Sequence, residues 1–153
     1  MSSLLVRETV DIDASPDRVW AFVVDWPRQT DWIPATRVWG VTEGVGVGTQ
    51  IEAWTGLGRF GYLDTMTITG WDPPQRCEVL HTGRLLRGEG GFAVAPAGPD
   101  RTRFEWWERF RMPGGPAGRL LGPLASPVLR TGVRRALHSL KHGVETRTRP
   151  SAS

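Results

Sequence analysis

Residues 126–147, SPVLRTGVRRALHSLKHGVETR, constrain this chain more than any other stretch. The Ser126 hydroxyl is suited to cap a helix N-terminus, and Pro127 fits the first helical position, where no N–H is needed. Leu129, Val133, Ala136, Leu137, Leu140 and Val144 then recur at intervals that share one helical face. Arg130, Arg134, Arg135, Lys141 and Arg147 fall on the opposite face. The pattern predicts an amphipathic helix whose apolar stripe must be covered by the rest of the chain. Burying each large side chain in that stripe stabilises the fold by about 1.5–3 kcal/mol. Gly132 and Ala136, on or beside the stripe, are too small to fill a core. Either another layer's backbone comes close there, or the helix borders a hollow.

The upstream chain supplies a sheet. Residues 4–12 alternate, with Val6, Val10 and Ile12 on one side, Arg7, Thr9 and Asp11 on the other, and Glu8 in the apolar set. Ser15, Pro16 and Asp17 then open a helix carrying Val19, Trp20, Phe22 and Val23 inward. Pro27 is read as its end, and a second short helix is expected over 28–32, stopped by Pro34. Strands follow at 37–42, 49–54, 60–71, 77–82, 85–95 and 102–111. GVGVG, TGLGRFG, DPP and PAGPD punctuate this run as turns. The order predicts an α+β fold, an antiparallel sheet with its helices on one side. At 153 residues and 39% hydrophobic content the chain can build one real core. A single domain over 1–148 with a flexible tail at 149–153 is expected.

Ala14-Ser15-Pro16 with Val19-Trp20, Asp25 with Trp32, Pro73-Pro74, and LKHGVE near the end mark a known arrangement. Together they resemble the START-like, or SRPBCC, helix-grip superfamily. That superfamily includes Bet v 1-type proteins and bacterial polyketide cyclase/dehydrase-like proteins. The resemblance covers nearly the whole chain; its motifs are specific for fold and almost silent on reaction. It implies a curved sheet of about seven strands wrapped around the long C-terminal helix. It also implies a deep apolar cavity between them, with Gly132 and Ala136 at its border. The implied occupant is a hydrophobic small molecule, aromatic or polycyclic. The alternative is a polyketide aromatase/cyclase or dehydratase working in the same cavity.

Strand parity nominates the residues that face this cavity. Thr102, Phe104, Trp106, Glu108 and Phe110 form one inward set, and Phe60, Tyr62, Asp64, Met66 and Ile68 another. Leu86, Phe92 and Val94 follow, and Trp39 and Val41 are assigned inward on their own strand. The expected ligand-binding set is Trp39, Tyr62, Met66, Phe92, Trp106, Glu108, Leu129, Gly132, Val133 and Ala136. Trp39, Trp54 or Trp106 is suited to stack on a flat ligand.

Three acids, Glu8, Asp64 and Glu108, fall among these apolar sets. An acid in such surroundings is paired, near a cavity mouth, or held partly protonated. Glu108 leads the three, and no basic residue is found on the inward parity beside it. Desolvation then predicts a neutral carboxyl that donates a hydrogen bond or a proton. Tyr62, Asp64 and Glu108 are the candidate proton-moving groups, without a firm catalytic constellation. His81, on one face with Cys77 and Val79, reads as a solvent or core-edge histidine.

Other chemistries find little support. GVGVG lies between strands rather than opening a helix, and GKS or GKT is absent. His138 and His142 are four apart but lack a third ligand at helical spacing. No metal and no cofactor are expected. A single cysteine excludes an internal disulfide. The acidic residues come too early in MSSLLVRETVDID for a signal peptide, and no apolar run reaches membrane-span length. A cytoplasmic protein without integral membrane association is the expectation. Of the net charge of +3, residues 116–147 contribute +5 (five Arg and one Lys against one Glu), leaving −2 elsewhere. The basic helix face is read as solvated, and its contact with anionic lipid or another macromolecule is the third functional reading. No nucleic-acid partner is expected, and the oligomeric state is left open.

Overall fold

A computed structural model describes residues 3–112 and 114–148. The chain runs β1 (Ser3–Ile12), α1 (Pro16–Val23), α2 (Trp26–Trp32), β2 (Thr36–Gly40), β3 (Gln50–Leu57), β4 (Phe60–Asp72), β5 (Arg76–Thr82), β6 (Arg87–Gly98), β7 (Arg101–Arg111) and α3 (Pro116–Thr148). The seven strands form one antiparallel sheet in the order β1-β7-β6-β5-β4-β3-β2. Strands β2 to β7 are therefore a meander, and β1 returns to pair with β7 from Ser3↔Arg111 to Ile12↔Thr102. Twisted strands in such a run curl, and α3 lies in the curl. This is the α+β helix-grip fold expected from the sequence. The expected tail at 149–153 lies outside the described residues.

The short helices start where side chains can satisfy their free amides. The Ser15 hydroxyl accepts from the Arg18 amide at 3.4 Å, with Pro16 in the first turn of α1. Asp25 does the same for α2, accepting from the Arg28 amide at 3.3 Å. Pro27 thus belongs to the first turn of α2 rather than terminating α1. A proline costs nothing there because its missing N–H would have no helical partner.

Helix α3 departs further from expectation. It begins at Pro116, so Ser126 is not its cap, and Pro123 and Pro127 lie inside it. Each proline removes one backbone bond. The carbonyls left without a helical donor are those four residues earlier, at Arg119 and Pro123, while the Thr131 hydroxyl donates to the Pro127 carbonyl at 2.8 Å. The extension carries Leu120, Leu121 and Leu124, exposed like Val128 just after it.

The core sits under the second half of α3. Ala136, Leu137, Leu140 and Val144 are buried there, in one cluster with Val6, Ile12, Val19, Val23, Ile68 and Phe104. The basic side chains of the helix are less free than their pattern suggests. Arg130 and Arg134 pair with Glu8 of β1 at 3.3 and 3.2 Å. Lys141 donates to the Asp11 carbonyl and to Glu145, and the Arg147 guanidinium lies over the Phe22 ring. The face read as outward and solvated is in part stitched to the sheet edge. Glu8, read as a cavity acid, is one of the stitches.

Candidate functional site

Under the first half of α3 the sheet and helix do not meet. A Cβ placed on Gly132 would find nothing within 4 Å. The space is a cavity of about 770 Å³, within the size range that holds a drug-sized molecule. Its walls come from the inward faces of β3 to β7, and its roof from Leu129, Gly132 and Val133. Leu121, Leu124 and Val128 line its more exposed end, together with Leu85 from the β5–β6 turn.

The structure places Tyr62, Met66, Phe92, Trp106 and Glu108 of the strands and Leu129, Gly132 and Val133 of the helix along the cavity. Two of the expected residues are elsewhere. Ala136 is fully buried in the core, so of the two small helix residues one borders the hollow and the other is close-packed. Trp39 lies on the outer face, its indole N–H donating to Glu52 at 3.0 Å, while Thr36 and Val38 point inward. Val38 and Trp39 are both apolar, so alternation alone could not fix the parity of β2. Val41 is exposed beyond the strand and Phe60 at the β3–β4 turn, and Trp54 does not line the cavity.

Phe92 and Trp106 form the aromatic part of the wall. Their ring centroids are 5.7 Å apart and nearly perpendicular, and Trp32 packs on both, at 6.3 and 5.9 Å. Beside them lies a cluster of charge in the cavity wall. His81 of β5 is 4% exposed and sits between two carboxylates. Its Nδ1 is 3.0 and 2.9 Å from the two Asp64 oxygens, and its Nε2 is 2.8 Å from Glu108 Oε2. Glu108 Oε1 accepts the Trp106 indole N–H at 2.7 Å. The edge of the Phe110 ring closes over the imidazole at 5.1 Å.

This trio spans four strands, and β6 makes it possible. Register puts Gly88 opposite both His81 and Phe110, and Gly90 opposite both Val79 and Glu108. A Cβ on Gly90 would collide with the Glu108 carboxylate. Glycines on the intervening strand thus leave a gap through which β5 and β7 side chains meet. The absence of a base on the strand beside Glu108 therefore did not mean the absence of a partner. His81 is not an edge residue, and Glu108 lies within hydrogen-bond distance of its Nε2 while accepting the Trp106 indole N–H. The sequence signal for this was the pair of glycines in RGEGG, read together with the inward parity of His81.

Burial works against charge on His81, but hydrogen bonds and charges from Asp64 and Glu108 outweigh it and hold its pKa at about 10. The Tyr62 hydroxyl, in the same wall, is raised first by burial, against a lowering hydrogen bond with Thr55, and then by the two carboxylates. The Cys77 thiol is pushed up to about 12, by burial and then by the charge of Glu78. A thiol so protonated is a poor nucleophile. No group of three or more His, Cys, Asp or Glu among the described residues is arranged to hold a metal ion. In the trio itself the ring nitrogens point apart to separate carboxylates, so the ligand atoms do not converge.

The sequence matches the family described as "Polyketide cyclase / dehydrase and lipid transport" over residues 3–145. The chain belongs to this family. Solved structures share the fold. The Zhui aromatase/cyclase from a Streptomyces species superposes with a TM-score of 0.82 at 19% identity, covering 99% of each chain. A START superfamily protein from Mycobacterium smegmatis gives 0.76 at 17%, covering 95% of this chain and 99% of that one. The di-domain ARO/CYC BexL gives 0.74 at 22%, with 95% of this chain matching 48% of its length. No curated protein matches the sequence. Among the described residues, no helix is long and apolar enough to cross a membrane.

Proposed function

We propose that this family member binds a flat, hydrophobic small molecule in the cavity beneath the first half of α3. The observation that carries this reading is the hollow itself, about 770 Å³ with a mostly apolar lining. A chain that gained only stability from this region would have filled it, since large cavities in cores cost several kcal/mol. Trp106 and Phe92 supply faces and edges for an aromatic ligand, and Leu121, Leu124 and Val128 give it an apolar approach. Neutral polycyclic alcohols such as 9-anthracenemethanol should quench tryptophan fluorescence saturably. Gly132→Leu should abolish that quenching while changing stability by less than about 1 kcal/mol, because the new side chain enters open space. Unaltered quenching in this variant would place the binding elsewhere.

A second reading is carried by the trio. The structural neighbours named as aromatase/cyclases suggest a poly-β-keto chain as the molecule to be folded there. Asp64 and Glu108 are carboxylates in a largely dry wall, with lone pairs left over after their bonds to His81 and Trp106. Such a group can take a proton from an activated carbon or an enol, and Tyr62 stands near enough to feel both charges. Glu108→Gln keeps the shape and removes the base. A binder keeps most of its affinity for a neutral ligand in this variant; a cyclase loses turnover with little change in binding.

A further inference from the structure

The hydrogen bonds of the trio also say which head group the cavity accepts, an inference that rests on the binding reading above. Both ring nitrogens of His81 face carboxylate oxygens, and the Trp106 N–H is already given to Glu108. Every donor in the cluster is therefore spent inside it. What remains toward the cavity is acceptor capacity. A carboxylate has about four lone-pair sites, and Asp64 uses its two oxygens on a single ring N–H.

The charge count points the same way. One imidazolium between two carboxylates leaves a formal −1 in a wall where all three side chains are buried. The other charged residue along the cavity is Arg111, which is exposed at the end of β7. The Tyr62 hydroxyl, raised chiefly by burial, is pushed the same way by Asp64 and Glu108, which both resist a negative charge there. These carboxylates were dehydrated on folding, so a ligand cation that reaches them adds attraction without stripping water from them again.

We infer that the cavity selects molecules whose apolar body carries a protonated amine seated against Asp64 and Glu108, and disfavours carboxylates of the same shape. This order runs against the charge of the whole chain. A net charge of +3 with a pI near 10.0 would, acting alone, draw anions in preference.

Three matched probes separate the possibilities: naphthylmethylamine, naphthylmethanol and naphthoate, titrated calorimetrically into the full chain at pH 7. The expected order is amine tighter than alcohol by about tenfold, and naphthoate weaker than alcohol by a similar factor. Asp64→Asn combined with Glu108→Gln should bring the amine and the alcohol within about twofold and remove the penalty on naphthoate. Alcohol binding with amine and naphthoate equal to it, or with naphthoate the tightest, overturns the selectivity while the cavity reading stands. Failure of all three probes to bind overturns both. If the double variant does not fold, Asp64→Asn alone should still narrow the gap between amine and naphthoate, and an unchanged gap would refute the assignment.

Discussion

Replacing His81 by leucine would remove the cation and leave Asp64 and Glu108 buried without the partner they share. At 2.8 and 2.9 Å, each imidazolium–carboxylate contact is worth about 6 kcal/mol at an effective dielectric of about 20. The dehydration of three charges and the repulsion between the two acids offset much of this. Removing one partner of a buried pair typically costs about 3–5 kcal/mol. Burial alone would lower the His81 pKa, yet its bonds to Asp64 and Glu108 raise it to about 10, so the charged form is favoured in place. Urea unfolding followed by tryptophan fluorescence should therefore show a loss of about 3–5 kcal/mol for His81→Leu at pH 7. The pH dependence is distinctive. Because the folded pKa is raised, the contribution of His81 is complete below pH 6.5 and is lost as pH climbs through about 10. The gap between wild type and variant should be wide near neutrality and shrink toward pH 10. A loss under about 1 kcal/mol, or a gap that stays constant with pH, would refute the picture of a charged, dry trio.

Two further substitutions test the frame around the site. Gly90→Ala drives a methyl into the Glu108 carboxylate, so it should cost about 1–3 kcal/mol by overpacking; it should also lower the pH at which His81 titrates, read by imidazole NMR. A neutral effect would mean that β6 does not need its gap. Arg134→Glu converts an attraction to Glu8 into a repulsion. Arg134 is 61% exposed at its side chain, so the expected loss is about 1 kcal/mol in low salt, fading as salt is added. A variant as stable as wild type at every salt concentration would mean that the helix face is merely solvated.

Most of the fold was legible because each element announced itself twice. The strand of Phe104, Trp106, Glu108 and Phe110 alternates cleanly, and polar loops bracket it. The helix of Leu137, Leu140 and Val144 keeps a stripe that only burial explains. Errors arose where two principles met. Pro127 after Ser126 is a sound helix start in isolation. The helix has already begun at Pro116, so Ser126 and Pro127 fall in its interior rather than at its start. Trp39 was misplaced because its strand is apolar on both parities near that point. The trio is not legible from pairing between adjacent strands alone. Side chains two strands apart meet only when the strand between them lacks side chains, and that condition lies in Gly88 and Gly90 rather than in the residues that touch.

Gly132 and Ala136 show why a single helix can serve both stability and binding here. They are four residues apart on one face, both small, and alone in sequence they make the same prediction. What separates them is the neighbourhood each faces. Ala136 belongs to the cluster of Val6, Ile12, Phe104 and Leu140, where close packing leaves no room. Gly132 looks instead onto the cavity bounded by Asp64, His81 and Glu108, side chains that an apolar plug could not satisfy. Filling this space with hydrocarbon would bury the spare acceptors of the trio without partners. The polar trio therefore helps keep the hollow available to an occupant that carries donors of its own. The packed half of α3 meanwhile fixes the helix, so the roof over the cavity can stay thin without the fold depending on it.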